Sequence, residues 1–149
     1  MTMRAPDATT VQPMSAQKPL ELILARNLLS NLSTPAFLAG DDSSLLFYNE
    51  AAAVLIGRRF EETGAMTASE WTQSFGPFDE NGDPINLEDT PLTLALRHGR
   101  PHHARLRIRI ATGGQQDIEA SAIPIVGSAG SSGAIVIFWP VGAPEVQER

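Results

Sequence analysis

Three histidines, His98, His102 and His103, are the only ones in the chain, and they stand almost side by side. Neutral imidazole is the commonest metal ligand, so this cluster could ligate a metal ion or a haem. Gly99 and Pro101 interrupt it. That places the histidines in a turn between two elements, with His98 aimed outward from the end of a helix. The expectation is a solvated turn that holds neither metal nor haem. A second group is acidic: Asp79, Asn81 and Asp83 carry the D-x-N-x-D spacing of half a calcium loop, with Glu80, Glu88 and Asp89 close by. Pro84 follows at once, and both the glycine and the closing glutamate are out of place, so the segment reads as a polar turn beside a helix start. Arg105, Arg107 and Arg109 form a third group, a basic stripe on one face of a strand. Such a stripe could grip an acidic ligand or partner. The reading preferred here is the wet side of an edge strand, where charge blocks edge-to-edge pairing. Cysteine is absent, which excludes disulfides, thiolate metal sites, cysteine nucleophiles and photochemistry that attaches a flavin to a thiol. Serine, histidine and aspartate occur in no triad arrangement, so no catalytic residue is assigned and an enzyme is not expected.

The elements that must position these groups are legible from periodicity. From Pro19 to Leu32, Leu20, Ile23, Leu24, Leu28 and Leu32 recur at helical spacing, and Leu22 and Leu29 widen the stripe beyond what one packing face needs. Pro35 to Ala39 and Leu45 to Tyr48 read as a hairpin across Gly40-Asp41-Asp42-Ser43. Asn49 then caps a helix over Glu50 to Ile56 that Gly57 closes. Phe60 to Phe78 is less regular, with a short helix over Ala68 to Phe75 that puts Trp71 and Phe75 one turn apart. Thr90 caps a helix that begins at Pro91 and ends at Gly99. A three-stranded meander follows: Arg105 to Ile110, a turn at Thr112 to Gln115, Asp117 to Ile125, a loop over Gly127 to Gly133, and Gly133 to Trp139. In the last strand Ala134, Val136 and Phe138 share one face, while Ile135, Ile137 and Trp139 share the other. A strand apolar on both sides is central and covered on both faces, and the Pro19–Leu32 helix is the spare cover.

With 149 residues and a formal charge of −6, the chain is long enough for one domain with a real core. The acidic balance argues against nucleic acid, which needs a basic face. Residues 1–17 read as a disordered tail, 18–141 as the domain (a flanking helix over 18–33, a core over 34–141) and 142–149 as a second tail. No stretch has the length or apolarity of a signal peptide or a membrane anchor, and a cytoplasmic location is the default.

Taken in order, these residues resemble PAS domains. Tyr48-Asn49-Glu50-Ala51-Ala52 is similar to the family's asparagine-led helix entry. The run from Phe78 to Pro84, then Glu88-Asp89-Thr90-Pro91-Leu92 and Ala95-Leu96-Arg97-His98-Gly99, is similar to the middle of bacterial PAS sensors. Ser121 to Ile125 and Gly133 to Val136 fit the closing meander. The resemblance covers roughly Leu20 to Pro140. It implies an α+β fold with a five-stranded antiparallel sheet of order 2-1-5-4-3, helices on one face and a pocket between them. It also implies an N-terminal helix that flanks the sheet and mediates dimerisation. One departure is that Trp139-Pro140-Val141-Gly142 replaces the aspartate-containing triplet common at the end of these domains.

From this the chain is expected to be a sensory or signalling module. It binds a small apolar or amphipathic ligand, a protein effector in trans, or both, and acts as a homodimer. The expected pocket lining is Phe37, Leu46, Leu55, Trp71, Phe75, Leu92, Leu96, Leu106, Ile108, Ala120 and Val136, with the small Ala120 and Ala122 leaving room at the centre. The expected dimer contact is Leu20, Leu24, Leu28, Leu32, Ile135, Ile137 and Trp139. Two alternatives stand beside it. One is a haem-containing gas or redox sensor. The other is a small α+β isomerase or hydrolase using an Asp–His pair, for which only Asp117, at a strand start, is placed.

Overall fold

The computed structural model describes residues 20–111, 113–128 and 130–142; the two expected tails, apart from Gly142, lie outside these. Helix α1 (Leu20–Ser30) leads to a hairpin of β1 (Ala36–Gly40) and β2 (Leu45–Tyr48). Four helices follow: α2 (Glu50–Ile56), α3 (Phe60–Thr63), α4 (Ala68–Phe75) and α5 (Pro91–His98), with a 3-10 turn at Leu87–Asp89 before α5. The meander is β3 (His102–Arg109), β4 (Gln115–Gly127) and β5 (Gly130–Pro140). All five strands form one antiparallel sheet of order β2-β1-β5-β4-β3. The loop expected over Gly127 to Gly133 is instead mostly strand. β4 and β5 stay paired to Gly127 and Gly130, and a register shift between Ile125 and Val126 absorbs the change of twist.

The two faces of the sheet bury two separate clusters. On the inner face Trp71, Phe75, Leu92 and Ala95 from the helices pack on Ala39, Tyr48, Ile118, Ala120, Ala122, Ala134, Val136 and Phe138. On the outer face Leu22, Ala25 and Leu29 of α1 pack on Ala36, Leu38 and Phe47. The spacing of these three residues, not that of Leu20, Leu24 and Leu28, sets the packing face of α1. Gly133 has positive φ and lies so close to β1 that a side chain there would strike the Ala39 carbonyl oxygen.

Both edges of the sheet are covered by backbone pairing. Leu45 exchanges hydrogen bonds with Met66 (2.7 and 2.9 Å), and Arg107 with Phe78 (3.0 and 2.8 Å). Unpaired edge groups are thus removed at these points as well as screened by charge.

Asn49 fastens α1 to the rest. Its Oδ1 accepts from the Ala52 N–H (3.0 Å), capping α2, and from the Ala36 N–H (3.1 Å) at the start of β1. Its Nδ2 donates to the carbonyls of Leu29 (3.0 Å) and Thr34 (2.9 Å). Removing a buried partner exposes the groups it served to an unsatisfied, water-free environment. Asn49→Ala is therefore expected to lower unfolding stability by about 3 kcal/mol. Asn49→Ser, which keeps a capping oxygen but loses the two donors, falls between it and the natural protein. Urea unfolding measures both, and a loss under about 1 kcal/mol for the alanine variant contradicts this account.

Candidate functional site

The inner cluster is not solid. A cavity of about 80 Å³ lies between the helices and the sheet. Its walls come from every layer of that half of the molecule: Phe37 and Val136 from the central strands, Leu106, Ile108, Ile118 and Ala120 from the meander, Trp71 and Phe75 from α4, Leu92 from α5. These are eight of the eleven residues the sequence nominates, with Ile118 in addition. Residues not nominated complete the wall, notably Leu45, Tyr48, Ile56, Thr90 and Phe138.

Three nominated residues are elsewhere. Leu46 turns to the outer face, beside Leu38 and Phe47. The reason is a register shift between Leu38 and Ala39, which pair with Phe47 and Leu45 and leave Leu46 unopposed. That bulge breaks strict alternation, so Leu45 and Tyr48 face the cavity while Leu46 and Phe47 face α1. Leu55 and Leu96 pack against the core as half-buried residues without reaching the cavity. Their helices present Ile56 and Leu92 to it instead.

The chemistry of the wall follows from where its polar groups point. Trp71 Nε1 donates to the Ser43 carbonyl (2.9 Å), Tyr48 Oη to the Arg58 carbonyl (2.7 Å) and Thr90 Oγ1 to the Leu87 carbonyl (2.7 Å). Burial pushes the Tyr48 phenol above its ordinary pKa, so it stays a neutral donor. With those donors committed, the wall offers a ligand little beyond carbon. Aromatic rings line one side: Phe37 lies 6.0 Å from Trp71 and 6.1 Å from Phe138, centroid to centroid. A cavity of about 150 Å³ holds benzene, so a site of about 80 Å³ suits a compact apolar molecule unless the walls move.

The titratable clusters lie outside this cavity. His98 is exposed at the end of α5, and its Nδ1 lies 3.1 Å from His102 Nε2. His103 projects to the other face and meets the Glu119 carboxylate. Among the described residues no group of three or more metal-ligating side chains converges. The basic stripe is largely engaged. Arg107 Nε donates to Asp117 (2.8 Å), Arg105 lies 3.6 Å from the same carboxylate, and Arg109 donates to the Gln73 and Ser74 carbonyls that end α4. In the acidic turn, Asp79 Oδ1 accepts from the N–H groups of Asn81 (2.9 Å) and Asp83 (3.0 Å), which folds the turn locally.

On the outer face, α1 leaves Leu20, Ile23, Leu24 and Leu28 exposed, 45–65% of each accessible to solvent. Trp139 and Ile123 are exposed as well. Leu32, Ile135 and Ile137, nominated for the same surface, are half-buried against the outer cluster that α1 covers within its own chain. Alternation along β5 correctly assigns their face, but α1 packs directly over it.

No protein-family model matches this chain, nor does any curated protein. Solved structures do. The PAS domain of BvgS from Bordetella pertussis is similar over 83% of this chain and 87% of its own, with 14% identity and a TM-score of 0.55. The PAS domain of nitrogen regulation protein NR(II) from Vibrio parahaemolyticus is similar over 79% and 98%, at 18% identity and a TM-score of 0.57. An RNA-binding light-oxygen-voltage receptor is similar over 89% of this chain and 36% of its own, at 20% identity and a TM-score of 0.59. The chain has the PAS fold, with the strand order that its sequence resemblance implied.

The Arg107 side chain, by hydrogen bonding, holds the Asp117 carboxyl below its ordinary pKa. A carboxylate depressed in the folded state adds stability that is present above its unfolded pKa and lost as pH falls through the lower folded value. The stability difference between the natural protein and Asp117→Asn is expected to be largest near neutrality and to shrink below about pH 4. Urea midpoints taken along that pH series test it; a difference that stays constant refutes it.

Proposed function

We propose that the chain is a sensory PAS module that takes up a compact apolar ligand in its central cavity and acts as a homodimer through α1. The observation that carries the ligand reading is the cavity wall itself, aromatic and aliphatic, with the donors of Trp71, Tyr48 and Thr90 all committed to backbone carbonyls. Apolar pockets with few polar anchors are ordinary small-molecule sites. A wall of this kind selects by shape and volume, and it disfavours charged ligands, whose desolvation nothing there offsets.

The haem reading draws less support. No histidine contributes to the cavity wall, and the volume is far below what a macrocycle needs. Nor does an enzymatic reading gain a centre, because Asp117 is engaged with Arg107 and Arg105 on the outer face, away from the cavity. For a nucleic-acid partner, the charge of −6 and the engaged arginine stripe both count against a phosphate-binding face. No helix among the described residues is long and apolar enough to cross a membrane.

The dimer reading rests on the four exposed apolar side chains of α1 together with Trp139 and Ile123. Leu20, Ile23, Leu24 and Leu28 recur at helical spacing on the exposed side of α1. An apolar face of that kind is uncommon on a monomer's surface, and a two-fold contact between copies of α1 covers it most simply. A protein effector engaged in trans is the second occupant this surface fits.

Two experiments test these readings. Xenon, small enough for a cavity of about 80 Å³, is expected to raise the melting temperature of the natural protein. Ala120→Phe fills the cavity and abolishes that response, either leaving stability unchanged or costing about 1–3 kcal/mol by overpacking. A folded natural protein indifferent to xenon removes the ligand reading. For the dimer, sedimentation at tens of micromolar (roughly the range where a stable homodimer is populated) is expected to show twice the chain mass. The Leu24→Asp, Leu28→Asp double variant is expected to sediment as a monomer or to aggregate. A monomeric natural chain rules the homodimer out.

A further inference from the structure

Across the sheet from the central cavity, a second cavity of about 140 Å³ opens between α1 and the β1–β2 hairpin. Leu22, Leu38, Leu46 and Phe47 build its interior, while the exposed Arg26 and Asn27 stand at its rim. It differs from the central cavity in one decisive respect, the presence of a cation. The Arg26 guanidinium carbon lies 4.4 Å from the centroid of the Phe47 ring and 5.6 Å from that of Phe60. Contact with two rings restrains a side chain that would otherwise be free in solvent, and so lowers the cost of placing it.

A guanidinium carries five N–H donors in a planar fork that matches a carboxylate. Among the described residues no carboxylate lies within ion-pair distance of Arg26. The neighbouring acids that could have paired with it are engaged elsewhere or distant; Glu21, on the same helix, accepts from the Ser132 hydroxyl (2.6 Å). An apolar hollow capped by a ring-held, acid-free guanidinium is a site for one class of molecule.

We infer that this cavity binds a small monocarboxylate with an apolar body, its carboxylate on the Arg26 N–H groups and its body against Leu38, Leu46 and Phe47. The size is set by volume. A cavity of about 150 Å³ accommodates benzene, so about 140 Å³ fits a single ring or a short branched chain. The site is independent of the central cavity and of any ligand there.

The test uses benzoate and benzyl alcohol, probes of the same body that differ in charge, titrated into the full chain and followed by amide NMR. Benzoate is expected to shift the amides of Leu22, Leu38 and Phe47 and to bind about fivefold more tightly than benzyl alcohol, the ratio set by one exposed ion pair. Arg26→Gln, a change at an exposed position, should bring benzoate down to the level of the alcohol. Equal affinity for the two probes in the natural protein overturns the proposal, as does a preference for benzoate that survives Arg26→Gln. So do shifts confined to Leu92 and Val136, which would place the probe in the central cavity. Shifts at the three amides that arise on concentrating the protein without probe would assign the groove to a second copy, and overturn it too.

Discussion

A side-chain amide has two donor positions and an acceptor oxygen with two lone pairs, and Asn49 uses all of them inside the protein. Its oxygen joins the start of β1 to the start of α2; its nitrogen joins both to the end of α1 and the connection that follows. No other residue type offers this combination in so small a volume. Aspartate would lack the two donors, and serine could not span the four partners. The Asn49 side chain is almost wholly buried, so each bond forms where water cannot substitute and each is costly to leave unmade. The consequence is an α1 that is fixed in position even though most of its surface faces solvent. At its other end Glu21 overlies Gly127 so closely that a side chain there would collide with the carboxylate. The Ser132 hydroxyl bond draws the Glu21 carboxyl below its ordinary pKa. Pinned at both ends, α1 can afford a narrow packing face.

That narrow face explains the asymmetry of the molecule. Three residues of α1, Leu22, Ala25 and Leu29, form its buried face on the outer side of the sheet, and the remaining holding forces are polar and local. The apolar residues on the rest of the helix are then surplus to the fold of one chain. The hollow beneath Arg26 lies between Leu22, Ile23 and Arg26 of the helix and Leu38, Leu46 and Phe47 of the hairpin. On the inner face the same economy operates in reverse. Ala120, Ala122 and Ala134 bring the helices close to the sheet at its centre, and the large rings of Trp71, Phe75 and Phe138 stand around them and leave a gap.

Much of this architecture was legible in the residues. The boundaries of β2, α2 and α5 follow from their caps and turn residues: Asn49 and Gly57, Thr90 with Pro91, and Gly99. Helix α4 was readable from Trp71 and Phe75 one turn apart, while its Thr67 and Gly76 caps emerge from the structure. The two-faced character of β5 follows from strict alternation, which the structure keeps. The misses have a common origin in events that periodicity cannot express. The bulge at Leu46 exchanges the faces of Leu45 and Leu46 without leaving a mark in the pattern of apolar residues. The choice of packing face on α1 was ambiguous because nearly every face is apolar; the decision is made by Asn49 and Glu21, polar residues at its ends. The short helix α3 and the bridge from Phe78 to β3 involve a few residues each, below the length at which a period can be counted. For the site, the identity of the walls was readable from layer positions, whereas the commitment of Trp71, Tyr48 and Thr90 to distant carbonyls was not, since their acceptors are set by tertiary placement.

The arms of Asn49 also relate the cavity to α1. Tyr48 precedes Asn49 and lines the cavity, Phe37 follows its acceptor-bound partner Ala36 and lines it too, and α2, which Asn49 caps, contributes Ile56. Three segments of the cavity wall therefore converge on one amide whose remaining bonds run to Leu29 and Thr34. A displacement of Tyr48 or of α2 by more than a few tenths of an ångström must lengthen one of those bonds or carry the end of α1 with it, because hydrogen bonds weaken steeply with distance and angle. Buried and fully satisfied networks move as a unit or break, with little range between. The exposed leucines of α1 lie one helix face away from the anchor. The cavity wall and the α1 helix are thus joined by hydrogen bonds that run around the end of β1 and not through the sheet.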